Sequence, residues 1–364
     1  MTISINKKDG GDFPVVFAED VFNEDNPALA ETLRNVTGQE KPRVMLVADM
    51  NVVQHTEGLG TKIGKYVKAY GIELMDSPVV LPGGEKIKCD NLHCALRVAN
   101  AAVDAKIGAN DCMLALGGGT ILDVAGWAAS QVRGGVKIVR VPTTIASMIE
   151  AGFADNAALD CAGVKDSLKI PCRPSAVMID TRFASTVLDG VWRAGFSEAV
   201  RLATVSDAEF MKKLSEVAPA FKERDDSAMV AAVTGAIDAR RKFGGTDFGL
   251  WAALRLEIMS GYKLPHGYAI AIGVAVDTAY AQLRGLMSED DRALVMRALD
   301  ECGAMDGALH SRHLVGQIDV VMRGLDAWAL SKGSEAVPVP NGLGSSIIEK
   351  IDRETMKQAL NMIK

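Results

Sequence analysis

Apolar positions in the first half of the chain come in short unbroken blocks. Residues 43–49, 112–116, 136–141 and 176–179 are such blocks, the mark of strands buried on both faces of a parallel sheet. Residues 77–81 read as a further strand and residues 13–22 as an edge strand. Between the blocks, residues 58–71, 89–106 and 120–130 carry apolar side chains at helical spacing. Alternating strands and helices predict an α/β fold: a doubly wound, mostly parallel, Rossmann-like sheet.

After residue 185 the strand-like blocks stop. Residues 190–205, 207–219, 227–243, 248–260, 267–284, 288–302 and 311–331 all have helical periodicity. One short strand is expected at 337–340 and a last helix at 347–363. The pattern divides the chain into an α/β domain, residues 1–185, and an all-helical C-terminal domain, residues 186–364.

The first half is organised around one junction. The block 112–116 runs into Gly117, Gly118 and Gly119, and Thr120 opens a helix with small residues on its packing face. Strand, glycine turn and helix N-terminus together make an anion site, because unbonded N–H groups and the helix dipole point outward there and glycine lets a diphosphate approach.

Composition narrows the class. The 364 residues are 48% hydrophobic, with a formal net charge of −6, so a general nucleic-acid binder is not expected. Six scattered cysteines include no C-x-x-C pair, as in a reduced compartment. A polar N-terminus and the lack of any apolar run near 18 residues argue for a soluble, cytoplasmic protein with no membrane partner. Of the five histidines, His55 and His93 stand in polar helical context, and His310 and His313 share one helix face without a third ligand nearby.

The order of several segments resembles the dehydroquinate synthase and sugar-phosphate cyclase family. They are Gly-Gly-Gly-Thr-Ile-Leu-Asp at 117–123, Arg-Gly at 133–134 and Val-Pro-Thr-Thr at 141–144. Ile-Asp-Thr at 179–181, Arg-Ala-Gly-Phe-Ser-Glu at 193–198 and His-Gly-Tyr-Ala-Ile-Ala-Ile-Gly at 266–273 follow. The resemblance implies an enzyme, a phosphate-eliminating carbon–oxygen lyase that uses NAD transiently. A hydroxyl is oxidised, phosphate leaves, the ketone is reduced and the sugar closes to a carbocycle, with zinc as Lewis acid. It implies NAD contacts at Asp49, Asn51, Glu85, Lys88, Gly118, Gly119, Asp123, Thr143, Thr144, Lys165 and Thr181. It also implies catalytic or substrate roles for Lys165, Arg201, Arg133 and Glu150, a small sugar-phosphate-like substrate, and a homodimer in which Arg133 reaches the partner's site. The helical domain is expected to carry the metal and substrate side of the cleft.

The metal set is incomplete. Glu198 and His266 match two of the family's three zinc ligands, but the third ligand is missing, with Leu250 in its place. Leu254 replaces a further histidine one turn on. A divalent metal is therefore in doubt, since catalytic zinc takes three protein ligands. Asn156 stands for a family lysine, and Asp166 and Asp247 for asparagines. Two bare acids would repel a phosphate. Two other readings stay open: an oxidoreductase of the related polyol or glycerol dehydrogenase type, and a non-catalytic NAD-binding member.

Overall fold

The computed structural model describes residues 2–5, 12–75, 78–309 and 316–363. Two compact units follow one another in the chain, Met1–Val187 and Leu188–Lys364.

The first unit is built on one eight-stranded sheet. Its strands are β1 (Thr2–Ile5), β2 (Phe13–Phe17), β3 (Arg43–Asp49), β4 (Glu73–Leu74), β5 (Val79–Leu81), β6 (Cys112–Gly117), β7 (Lys137–Pro142) and β10 (Ala176–Ile179). Their order is β1-β2-β10-β7-β6-β3-β4, with β5 also paired to β3. Only β1 runs antiparallel, against β2. Every residue of β6 is buried, as its unbroken apolar run requires, because helices cover both faces of a parallel sheet. Residues 13–22 are not the edge: β2 ends at Phe17 and lies between β1 and β10.

A hairpin of β8 (Asn156–Cys161) and β9 (Val164–Pro171) stands outside that sheet and was not expected. The alternating, half-exposed residues of β9 lack the apolar block that marks a central strand, and the buried run of β8 is short and ends in Asp160. Helix Gly119–Gln131 packs on β8 at Gly126, where an added Cβ would come within 3.0 Å of Cys172 Sγ and 3.1 Å of Ala157 Cβ. The helix expected over 89–106 spans His93–Asp104. Asn91 and Leu92 have left-handed φ of 58° and 66°, which ends the preceding 3-10 turn Glu85–Lys88 and starts a new helix.

The second unit is helical apart from one hairpin. Its helices include Asp189–Ser206, Ala208–Lys222, Asp226–Phe243, Leu250–Met259, His266–Leu283 and Glu289–Glu301. Strand β11 (Ala336–Pro340) pairs with β12 (Ser346–Lys350), so "all-helical" needs that correction. The last helix is Arg353–Met362, started by the Asp352 carboxylate accepting from Thr355 N at 2.8 Å. Residues 347–350, read as helix, are strand. Helix 311–331 is described only from Ile318. His310, His313 and Ser77 lie outside the described residues. Among those residues no helix is long and apolar enough to cross a membrane.

Candidate functional site

In the first unit the glycine turn joins β6 to helix Gly119–Gln131. Gly118 is extended, with φ −70° and ψ 177°, and Thr143 N donates to Gly117 O at 3.1 Å. The turn is tightly enclosed. A Cβ on Gly117 would fall 2.6 Å from Ile121 Cβ, one on Gly118 would fall 3.2 Å from Thr144 Cγ2, and one on Gly119 would fall 3.2 Å from Ala151 Cβ. Close approach rather than φ demands glycine at 117 and favours it at 118 and 119.

Two other strand ends meet this turn. At the end of β3, the Asp49 carboxylate accepts from Asn51 N at 2.8 Å and Asn51 Nδ2 at 3.1 Å. Burial pushes its pKa up, while the N–H groups of Asn51, Gly118 and Val52 partly hold it down. The loop after β5 closes over the same pair, since a Cβ on Gly83 would sit 2.5 Å from Asn51 Nδ2 and 2.9 Å from the Asp49 carboxylate. Thr144 caps the short helix Ile145–Ile149 through a capping box with Ser147. Thr143 is fully buried, and its Oγ1 has no hydrogen-bond partner among the described residues. A buried hydroxyl without a partner is costly. That hydroxyl beside a glycine cradle fits a bound dinucleotide.

Two lysines stand behind the cradle. Lys88 Nζ donates to Asp123 Oδ2 and to Asp166 Oδ1, both at 2.8 Å. Burial alone would lower this ammonium, but Asp123, Asp166 and Glu85 outweigh it and hold the pKa well above its ordinary range. Burial likewise pushes Asp166 up, and Lys88 and Lys165 reverse that and leave it well below the usual carboxylate range. Asp166 is therefore not a bare acid facing a phosphate. Lys165 pairs with Glu85, and Asp160 lies 4.0 Å away. Asp123 Oδ1 also accepts from Ala158 N at 3.2 Å, tying the glycine helix to β8. Glu150 follows the capped helix and precedes Ala151, the residue in contact with Gly119.

Two expected residues stand apart from this group. Arg133 is exposed, with a left-handed φ of 50°, beyond the C-terminal end of helix Gly119–Gln131, one helix length of about 20 Å from the glycine turn. Thr181 follows β10, and β7 lies between that strand and β6. Asp180 caps the turn that Thr181 opens.

In the second unit, four charged side chains join three helices. Glu198 Oε2 accepts from Arg201 Nε at 2.8 Å, and Glu198 Oε1 lies 3.2 Å from His266 Nε2, at ion-pair distance though off the hydrogen-bond axis. The other ring nitrogen, His266 Nδ1, is 2.7 Å from Glu257 Oε1. Glu198 and Arg201 are 1% exposed and Glu257 0%, whereas the His266 side chain is 32% exposed. Burial alone would raise Glu198, but Arg201 and His266 hold it low, at about 2. Burial alone would lower His266, but Glu257 and Glu198 push it up. Arg201 also bonds the carbonyls of Thr246 and Phe248. Its guanidinium is engaged inward, by Glu198 and the two carbonyls, where a catalytic or substrate role is expected.

Leu250, Leu254 and Glu257 share one helix face, being four and then three residues apart. Glu257 is the member of that face that reaches His266. The spacing was visible in the sequence, but its carboxylate was given no role there. Asp247 is not bare either: Lys332 Nζ bonds its Oδ2 at 2.7 Å, a partner 85 residues away that no local pattern announces.

The set does not fit the family's zinc site. Glu198 is bonded to Arg201 and His266 to Glu257, the two lie at ion-pair distance from each other, and an apolar side chain holds the third position. Among the described residues no group of three His, Cys, Asp or Glu side chains is placed to hold a metal ion.

Residues 78–194 match the family model described as 3-dehydroquinate synthase N-terminal, and residues 195–314 match that described as 3-dehydroquinate synthase C-terminal. A 3-dehydroquinate synthase of Ruegeria sp. (strain TM1040) is 28% identical over 305 residues, covering 80% of this chain and 78% of that protein. The solved 2-epi-5-epi-valiolone synthase from Streptomyces hygroscopicus subsp. jinggangensis 5008, with NAD+ and Zn2+ bound, superposes with a TM-score of 0.81 at 24% identity. It covers 99% of this chain and 98% of its own. A 2-deoxy-scyllo-inosose synthase complexed with carbaglucose-6-phosphate, NAD+ and Co2+ gives a TM-score of 0.77 at 18% identity, with 100% and 99% covered.

Proposed function

The chain belongs to the 3-dehydroquinate synthase family, and from that premise we propose that it is an NAD-dependent enzyme of the sugar-phosphate cyclase type with an altered substrate site. The observation that carries this reading is the glycine cradle at the end of β6, with Asp49 and Asn51 on one side and the unbonded Thr143 hydroxyl on the other. The backbone of Gly118 and Gly119 and the start of the following helix take the diphosphate. Asp49 and Asn51, at the end of the adjacent strand, take the ribose edge, as ligands of open α/β sheets bind beyond strand C-termini. Lys88 and Lys165, held by Asp123, Asp166 and Glu85, keep the helix and the β8–β9 hairpin in register behind the cofactor. Bound NAD supplies a reversible hydride acceptor.

The protein works as a cytoplasmic homodimer, in which Arg133, remote from the cradle of its own chain, serves the partner's substrate. Glu150, next to the Ala151 that touches Gly119, serves the substrate. Phosphate release from the substrate is the lyase step.

Titration calorimetry with NAD tests the cofactor reading. The wild-type chain is expected to bind NAD, and Gly119→Val to lose that binding, because its side chain meets Ala151 where even a Cβ would sit at 3.2 Å. Phosphate release from a panel of seven-carbon sugar phosphates tests the reaction class. Absence of NAD binding by the wild type would overturn the proposal.

A further inference from the structure

We infer that the helical unit binds no divalent metal at Glu198 and His266, and that Arg201 and Glu257 pair with those two residues instead. The donor atoms carry the argument. One oxygen of Glu198 accepts from Arg201 Nε at 2.8 Å, and the other faces His266 Nε2 at 3.2 Å. His266 Nδ1 faces Glu257 Oε1 at 2.7 Å. Each ring nitrogen already faces a carboxylate oxygen, so neither directs a lone pair at open space.

Arg201 cannot easily withdraw. It is 1% exposed and also bonds the carbonyls of Thr246 and Phe248. Its removal would leave those acceptors and Glu198 unmatched in the interior. A fixed guanidinium on Glu198 also competes directly with a cation for the same carboxylate. The remaining side of the site is the helix face of Glu257, one turn and two turns below which stand Leu254 and Leu250, half-buried and without a donor atom. Two ligands with no third are a poor zinc site. The chain Arg201–Glu198–His266–Glu257 does mechanically what a metal would do, tying helices Asp189–Ser206, Leu250–Met259 and His266–Leu283 together at one point.

The test uses the full chain, treated with chelator and then titrated with Zn2+ or Co2+ by calorimetry, with metal content read by mass spectrometry. No stoichiometric metal is expected. The double variant L250H/L254H, which places two nitrogen donors on the Glu257 face, is expected to gain no stoichiometric zinc while Arg201 and Glu257 hold Glu198 and His266. One zinc per wild-type chain, lost in Glu198→Gln, would overturn the inference. So would an L250H/L254H chain that binds one zinc per chain. NAD binding by the wild type is expected to be indifferent to chelator, and NAD binding that requires added zinc would also overturn it. Absence of NAD binding under every condition would count against the proposed function alone, and the zinc titration would still decide this inference.

Discussion

Replacing Lys88 by Met removes the one ammonium between Asp123 and Asp166. Lys88 is 5% exposed, and its Nζ lies 2.8 Å from an oxygen of each acid. At an effective dielectric near 20, a pair of unit charges at that distance attracts by about 6 kcal/mol. Desolvation of the ammonium and repulsion between the two acids cancel much of the combined attraction. The net figure follows from the usual cost of removing one partner of a buried ion pair, about 3–5 kcal/mol. A domain with a stability of about 5–15 kcal/mol is expected to survive the loss but to unfold at markedly lower urea. In the double variant Lys88→Met/Asp166→Asn one of the two acids that faced Lys88 is gone, and up to about half of the loss should return. The pH dependence has a definite sign. Lys88 is raised in the folded chain, so its contribution is present below its unfolded value of about 10.4 and is lost only as pH rises through the higher folded value. Asp166 is depressed, so its contribution is present above about 4 and is lost as pH falls through its folded value. Burial raises Asp123 even against Lys88, so the gap between wild type and variant is flat only from about pH 7 to 9 and narrows in acid. Urea denaturation followed by circular dichroism measures it, with hydrogen exchange on residues 85–90 and 119–131 to locate the loosening. A Lys88→Met chain within about 1 kcal/mol of wild type across that range would refute the argument, because a surface pair costs no more than that.

Arg201→Met should cost about 3–5 kcal/mol by leaving Glu198 buried beside an incomplete set of partners. Arg201→Lys should cost less, because one ammonium can hold Glu198 but cannot also fork to the carbonyls of Thr246 and Phe248. Thermal unfolding ranks the two, and an equal loss in both would refute the forked role. Asp277 is fully buried and accepts from Trp251 Nε1 at 2.8 Å and Gly249 N at 3.0 Å, with burial raising its pKa to about 7. Its folded value lies above the unfolded one, so stability is expected to fall as pH rises from about 4 to 7, by roughly 4 kcal/mol at most. Asp277→Asn should flatten that slope, and identical pH profiles for the two chains would contradict it.

What the sequence determined by itself is the sheet and its central junction. The blocks at 43–49, 112–116 and 176–179 became β3, β6 and β10 with little or no change at their ends, because a strand buried on both faces has no freedom to be anything but apolar. The glycine turn was equally legible, since close packing leaves no room for a side chain at Gly117 and little at Gly118 and Gly119. The hairpin of β8 and β9 was not legible. β9 is too exposed to show an apolar block, β8 has only a short one before a buried acid, and pairing across the turn makes both of them strands. The same holds for β12, where residues 347–350 have no helix-breaking signal and pair with β11 instead. Charge was the least legible property. The sequence displays Asp166 and Asp247 as uncompensated acids, yet Lys88 is 78 residues from the first and Lys332 is 85 residues from the second. Which cation an acid meets is decided by how distant helices and strands are brought together, and Coulomb energies depend on that separation and on burial rather than on distance along the chain. The two leucines show both levels at once. Their identity was plain in the sequence, but only the tertiary structure shows Glu257 on their face and Arg201 on Glu198, which turns an incomplete ligand set into a closed chain of charges.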